Sequence, residues 1–315
     1  MKRLDKKRIT SIMKLIFLLL VTYFLINYFI KNIEDIKDME FKIDWPIFVL
    51  SMLFYFIYKY TLASLWHYIT KLCQCSVNYW KAVTAYLYSI LGKYIPGKVF
   101  MLAARIPAYE EEGIKIRNVT VCFFLENICT LLGAGFLFLI SLFFFPNDIL
   151  KDYMVLTILL VVAFFICINP KIINFFLGIL EKLIKKKDMQ IPITYLQMIK
   201  VVLLFVGNWF IAGVGFYMLV RSIYPVPVSE MLYTGGIFAL ASIIGILAII
   251  APSGIGVREG IIVFGLSLIM PTEYAVIISI ISRLWVTVAE LILILMAFVL
   301  NKIKLLRNKK RGLRY

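Results

Sequence analysis

Arg258 and Glu259 stand side by side behind Pro252-Ser253-Gly254-Ile255-Gly256, and the apolar stretches 231–250 and 261–270 enclose them. An earlier stretch has the same ingredients: Lys93, Pro96, Gly97 and Lys98, with Arg105 a few residues on. Proline and glycine at such positions break a helix, and non-helical backbone at membrane depth survives only where protein buries it or a wet cavity meets it. The break frees N–H groups at the start of a half-helix, where the helix dipole is positive. With lysine or arginine beside it, the arrangement suits a phosphate or another anionic headgroup. Glu259 can hold Arg258 in place or receive a cationic group of the ligand.

Glu126, Arg283 and Glu290 complete the set. Arg283 and Glu290 are seven residues apart, hence on one helix face. Their separation along the axis is about 10 Å, too far for a direct bridge. Arg283 paired with Glu126 is the alternative. An ionisable group at a helix centre costs roughly 2.5–3.5 kcal/mol on insertion scales, so it faces a bundle interior or a cavity. Two readings stay open for Arg283 and Glu290: a pair that fixes helix packing, or the lining of a hydrophilic passage for a lipid headgroup. Snorkelling to the interface is the competing reading for Lys93 and Lys98. The sequence has no nucleophile–base–acid set, phosphate-binding glycine loop or metal motif, so neither a cofactor nor a metal is expected. His67 is the sole histidine; Cys73 and Cys75 fall in a loop and Cys122, Cys129 and Cys167 in apolar runs, all expected as reduced thiols.

The elements that must position these residues are membrane helices. Hydrophobic residues make up 62% of the 315, and the mean hydropathy is +0.92, outside the range of soluble domains. Runs of about 20 apolar residues each cross roughly 30 Å of hydrocarbon. The expected fold is an all-α polytopic integral membrane protein. It has about six full spans (12–30, 45–66, 119–145, 153–168, 194–220 and 274–300) and two Gly/Pro-broken re-entrant hairpins at 82–105 and 231–270. The net charge of +16 gathers at the N-terminus, in 182–187 and in the tail, the flanks that the positive-inside rule assigns to the cytoplasm. That distribution argues against a nucleic-acid partner and for anionic membrane lipid. Both termini are expected in the cytoplasm of a multi-pass cell-membrane protein.

Within one transmembrane domain (1–315), a first span and outer loop (1–44) precede a first half (45–168), a basic cytoplasmic loop (169–193), a second half (194–300) and a basic tail (301–315). The first half runs as span, hairpin from inside, span with a buried acid. The second runs as span, hairpin from outside, span with a buried acid and base. That is the layout of an inverted-topology repeat. Gly207, Gly213 and Gly215 offer small-residue surfaces for close helix approach, and Trp45, Trp66 and Trp80 read as interface anchors.

Gly92-Lys93-x-x-Pro96-Gly97-Lys98, Arg105, Gly113, the buried Glu126 and Pro252-Ser253-Gly254-x-Gly256-Val257-Arg258-Glu259 together resemble the flippase-like lysylphosphatidylglycerol synthase transmembrane family, over nearly the whole chain. Two positions depart from that family's pattern: Asn127 follows Glu126 where an arginine is common, and Ser253 replaces a usual glycine. The resemblance implies a lipid translocase moving an anionic or aminoacylated phospholipid, or a polyprenyl-phosphate-linked sugar, between leaflets. The alternative is a membrane-embedded transferase or an accessory subunit in lipid-linked glycan or aminoacyl-lipid synthesis, which would make the enzymes of such synthesis its partners. The soluble aminoacyl-transfer domain of the family's bifunctional members has no counterpart in these residues, so a transporter is expected rather than an enzyme.

Overall fold

The computed structural model describes residues 42–94, 99–143, 168–175, 193–247 and 256–310, with isolated positions between 159 and 178. The expected span 12–30, nearly all of 153–168 and the tips of both breaks lie outside the described residues. Among the described residues all regular structure is helical. In chain order the elements are α1 (Trp45–Leu72), α2 (Tyr79–Ser89, continued by a 3-10 turn Ile90–Tyr94), α3 (Val99–Glu110) and α4 (Ile116–Leu142), then α5 (Tyr195–Arg221), α6 (Met231–Leu247, led in by a 3-10 turn Val228–Glu230), α7 (Val257–Leu266) and α8 (Thr272–Lys310). Helices α1, α4, α5 and α8 match expected spans and are long and apolar enough to cross a membrane.

Local sequence explains where these helices begin. The Asp44 side chain accepts the Ile47 N–H at 3.2 Å, and Pro46 sits in the first turn of α1, where a missing N–H costs nothing. At α5 the hydroxyl of Thr194 accepts the Gln197 N–H at 3.3 Å while Gln197 Oε1 accepts the Thr194 N–H at 2.9 Å, a reciprocal capping box.

Helix directions follow from which residues meet. The Asp44 N–H donates to Ser222 O at 2.8 Å, Thr61 bonds Asn208, and Gly215 lies against Ser51 and Phe54. α1 and α5 are therefore antiparallel. α4 runs with α5, because Gly133 meets Phe205 and Leu137 meets Gly213. α8 runs with α1, the Tyr55 and Trp285 rings lying 4.6 Å apart and Lys59 reaching Glu290. Gly213 and Gly235 bring α5 and α6 into backbone contact: a Cβ on either would lie 3.0 Å from the other's Cα. Gly207 meets nothing within 4 Å and takes no part.

Each break is a chain reversal. α2 and α3 pack on each other, and their outer ends are tied where Lys81 Nζ lies 2.9 Å from Glu111 and 2.8 Å from Glu112. The hydrogen bond to Glu112 raises the Lys81 pKa above its ordinary value. Near the tip, a Cβ on Gly92 would come within 2.5 Å of the Met101 nitrogen, so only glycine lets the arms cross this closely. In the second break α7 folds back on α6, the Tyr233 hydroxyl donating to Gly265 O at 2.8 Å. The arms here are unequal. α6 with its lead-in, Val228–Leu247, is long enough to span, whereas the 10 residues of α7 cover about 15 Å. The first hairpin follows the end of α1 and the second the end of α5. Since α1 and α5 are antiparallel, the hairpins start from opposite ends of that pair.

The burial pattern is inverted relative to a soluble protein. Leu53, Leu203, Phe210, Leu295 and Phe298 are exposed, while Arg105, Glu126, Glu259, Arg283 and Glu290 are buried. Trp45 and Trp80 are exposed, as interface anchors would be, but Trp66 is fully buried. α3 lays Arg105 over its ring, which corrects the expectation for that tryptophan.

Candidate functional site

Three ion-paired groups tie the hairpins to the long helices. The first joins α3 to α4. Arg105, fully buried, gives its Nη1 to Glu126 Oε2, with Nη2 3.4 Å from Oε1, and its Nε donates to Ser89 Oγ at 2.9 Å. The guanidinium lies 4.2 Å from the Trp66 ring centroid, 4.4 Å from that of Tyr86 and 5.2 Å from that of Phe123. A planar cation held edge-on by a carboxylate and face-on by aromatic rings is well compensated for burial.

The second group joins α1, the first hairpin and α8. Glu290 is fully buried on α8. Its Oε1 is 2.9 Å from Lys59 Nζ and accepts the Tyr55 hydroxyl at 3.0 Å, and its Oε2 pairs with Lys93. Lys93 comes from the 3-10 turn that tightens the end of α2. Lys59 also lies 5.4 and 5.3 Å from the ring centroids of Tyr55 and Tyr58. One carboxylate thus serves two ammonium groups.

The third group joins α7 to α8. Glu259 Oε1 is 3.4 Å from Arg283 Nη1, and Oε2 accepts the Gly256 N–H at 2.7 Å, closing the first turn of α7. Gly256 adopts φ +86°, a backbone conformation suited to glycine. Arg258 turns the other way, its guanidinium 4.7 Å from the Phe238 ring centroid. It makes no ion pair with a described carboxylate. The Phe238 ring under Arg258 lies 6.0 Å from that of Trp285 on α8, and Trp285 lies 4.6 Å from Tyr55, the donor to Glu290, so the second and third groups adjoin.

Several expectations change in detail. Glu126 pairs with Arg105, not with Arg283, because α3 rather than α8 covers that face of α4. Glu259 holds Arg283 and the start of α7, not Arg258. Lys93 points inward to Glu290 rather than toward an interface. Pro96, Gly97, Lys98, Pro252 and Gly254 lie outside the described residues. Lys59 and Tyr55 join the site without a sequence expectation, although Lys59 is an ionisable residue inside an apolar run, the signal that picks out Glu126. Among the described residues no group of three or more His, Cys, Asp or Glu side chains gathers as a metal would require.

Residues 11–294 match the family model of the lysylphosphatidylglycerol synthase TM region. No curated protein matches the chain.

Proposed function

This chain belongs to the lysylphosphatidylglycerol synthase TM-region family, and from that premise we propose that it is a lipid translocase. It moves an anionic or aminoacylated phospholipid, or a polyprenyl-phosphate-linked sugar, between leaflets of the cell membrane, with both termini cytoplasmic. The observation carrying the proposal is the second and third charged groups: cations and carboxylates from both hairpins, gathered on α8 inside an otherwise apolar bundle. Ionisable groups at membrane depth mark substrate pathways, and Gly/Pro-interrupted segments from two repeat halves build transporter sites near the midplane. In this reading the hairpins are the re-entrant elements of an inverted repeat. Lys59, Lys93, Arg258, Glu259, Arg283 and Glu290 meet the headgroup while the acyl or prenyl chains stay in lipid. Arg105 and Glu126 position the first hairpin. Pro96, Gly97, Lys98, Pro252 and Gly254 are assigned to headgroup binding from sequence alone.

Purified protein in vesicles carrying a fluorescent lipid in both leaflets provides the test. Addition of an impermeant quencher to a translocating preparation extinguishes more than the outer-leaflet half of the signal. Arg258→Ala and Arg283→Ala are expected to return quenching to that half; unchanged translocation in both variants overturns the site. A lipid of altered mass in the same vesicles, in place of a changed leaflet, would mark a transferase instead.

A further inference from the structure

We infer that Cys73, Cys75 and Cys122 form a thiol–disulfide exchange site: a low-molecular-mass disulfide from solution oxidises the loop after α1 onto α4, and a low-molecular-mass thiol releases it. Cys122, fully buried, is the shared sulfur. Its Sγ lies 3.1 Å from that of Cys75, and Cys73 also reaches it. Among the described residues no three such side chains are placed to hold a metal ion between them. Two thiols on one sulfur are instead what exchange needs, because the attacking thiolate, the sulfur attacked and the leaving sulfur must adjoin. The thiols also differ in access. Cys75 and Cys122 are buried and Cys73 is part-exposed, so Cys73 is the one that a soluble disulfide meets.

The end of α1 brings the first two thiols onto the third. Residues two apart on a continuing helix point to nearly opposite sides. α1 stops instead at Cys73: the Gln74 N–H donates to Lys71 O at 3.1 Å and the Cys75 N–H to Thr70 O at 2.9 Å, the paired bonds of a Schellman turn. Its turning residue is Gln74, at φ +55°, where glycine is usual. A strained backbone position thus separates the two cysteines that share Cys122.

The exchange balances with the soluble disulfide, RSSR, as oxidant. The Cys73 thiolate attacks RSSR and expels RS⁻. The Cys122 thiolate attacks Cys73 Sγ and expels the second RS⁻, forming Cys73–Cys122. The Cys75 thiolate then attacks the Cys122 sulfur and returns Cys73 to thiolate. The two buried thiols have lost two electrons and two protons, RSSR has gained both and leaves as two RSH, and Cys73 is free to begin the reverse path. The closed bond sits one turn from Glu126 on the same face of α4, beside the Arg105–Glu126 pair.

Full-length protein, reduced and in detergent, is incubated with oxidised glutathione, blocked with maleimide after denaturation and mapped by peptide mass. A Cys75–Cys122 link is expected, and reduced glutathione reverses it. Cys73→Ser keeps both buried thiols and slows the link about tenfold or more. Cys75→Ser stops at Cys73–Cys122, and Cys122→Ala stops at glutathione on Cys73. An equal rate in Cys73→Ser overturns the relay through Cys73. Glutathione confined to Cys73 in the parent, or no reaction before denaturation, overturns the exchange site. Should Cys122→Ala fail to fold, the parent and Cys73→Ser carry the test, since both keep Cys122. The readout involves no lipid, so its outcome is independent of leaflet transfer.

Discussion

Arg105 and Glu126 distinguish a positioning pair from a headgroup contact. Their ion pair is bidentate, with side chains 0% and 6% exposed. Removing one partner of a buried pair strands the other charge, at a cost of about 3–5 kcal/mol. Glu126→Gln leaves the guanidinium with Ser89 and the rings of Trp66 and Tyr86, which return about 1–2 kcal/mol through cation–π contact. The net loss is then on the order of 2–3 kcal/mol, a fall in Tm of roughly 3–5 °C for a chain of 315 residues. Arg105→Met is worse, because Glu126 keeps no aromatic compensation. The double variant Arg105→Met/Glu126→Leu replaces the pair by apolar groups of similar length and is expected within about 1–2 kcal/mol of the parent. Tm of detergent-solubilised protein, followed by the monodisperse fraction after heating, reads all four proteins. Single variants within about 1 kcal/mol of the parent refute the argument, as does a double variant that falls as far as the sum of the singles. Full stability of the double variant with loss of leaflet transfer would move the pair from positioning to headgroup contact.

Four further outcomes follow from the packing. Gly92→Ala drives a Cβ against the backbone of Phe100 and Met101 and is expected to lower stability by about 1–3 kcal/mol. Gly207→Ala, with open space around it, raises stability by about 0.5–1 kcal/mol; equal Tm shifts in the two variants would contradict the hairpin crossing. Lys59→Met leaves Glu290 with Lys93 and Tyr55, so it is expected to fold and to slow leaflet transfer about tenfold; unchanged transfer removes Lys59 from the site. The thiols of Cys75 and Cys122 lie 3.1 Å apart, and the hydrogen bond from Cys122 lowers the Cys75 pKa, so its thiolate forms at lower pH than that of an ordinary cysteine. Mild copper–phenanthroline oxidation is expected to link them, protecting one thiol pair from maleimide added after denaturation in the parent and none in Cys73→Ser/Cys75→Ser, since Cys73 also reaches Cys122. Equal labelling of the two proteins means that the loop after α1 does not reach α4.

The helices are legible because apolar runs and caps are local: Asp44-Trp45-Pro46 and Thr194 to Gln197 mark the starts of α1 and α5 from sequence alone. The buried ionisable residues are legible for the same reason, each being a charge inside a run of hydrocarbon. Their partners are not. Whether Glu126 meets Arg105 or Arg283 depends on how α3 and α8 are rotated and where they cross α4, and no spacing within one helix encodes that. Trp66 shows the same limit, since an aromatic near a span end looks like an interface anchor until another helix covers it. Lys59 escapes for a different reason: it lies near aromatic residues at Tyr55, Tyr58 and Tyr60, and length alone qualifies the run 45–66 as a span.

One unbroken helix carries the contact residues for both hairpins. Arg283 holds Glu259 of the second hairpin, and Glu290 holds Lys93 of the first, two turns further along α8. Both project from the same face, so a twist of α8 about its own axis swings the two away from their partners in a single stroke. A slide along the axis shifts both by an equal amount. The two hairpins are geared to a common shaft, and loosening one without disturbing the other requires bending or melting the helix between residues 283 and 290.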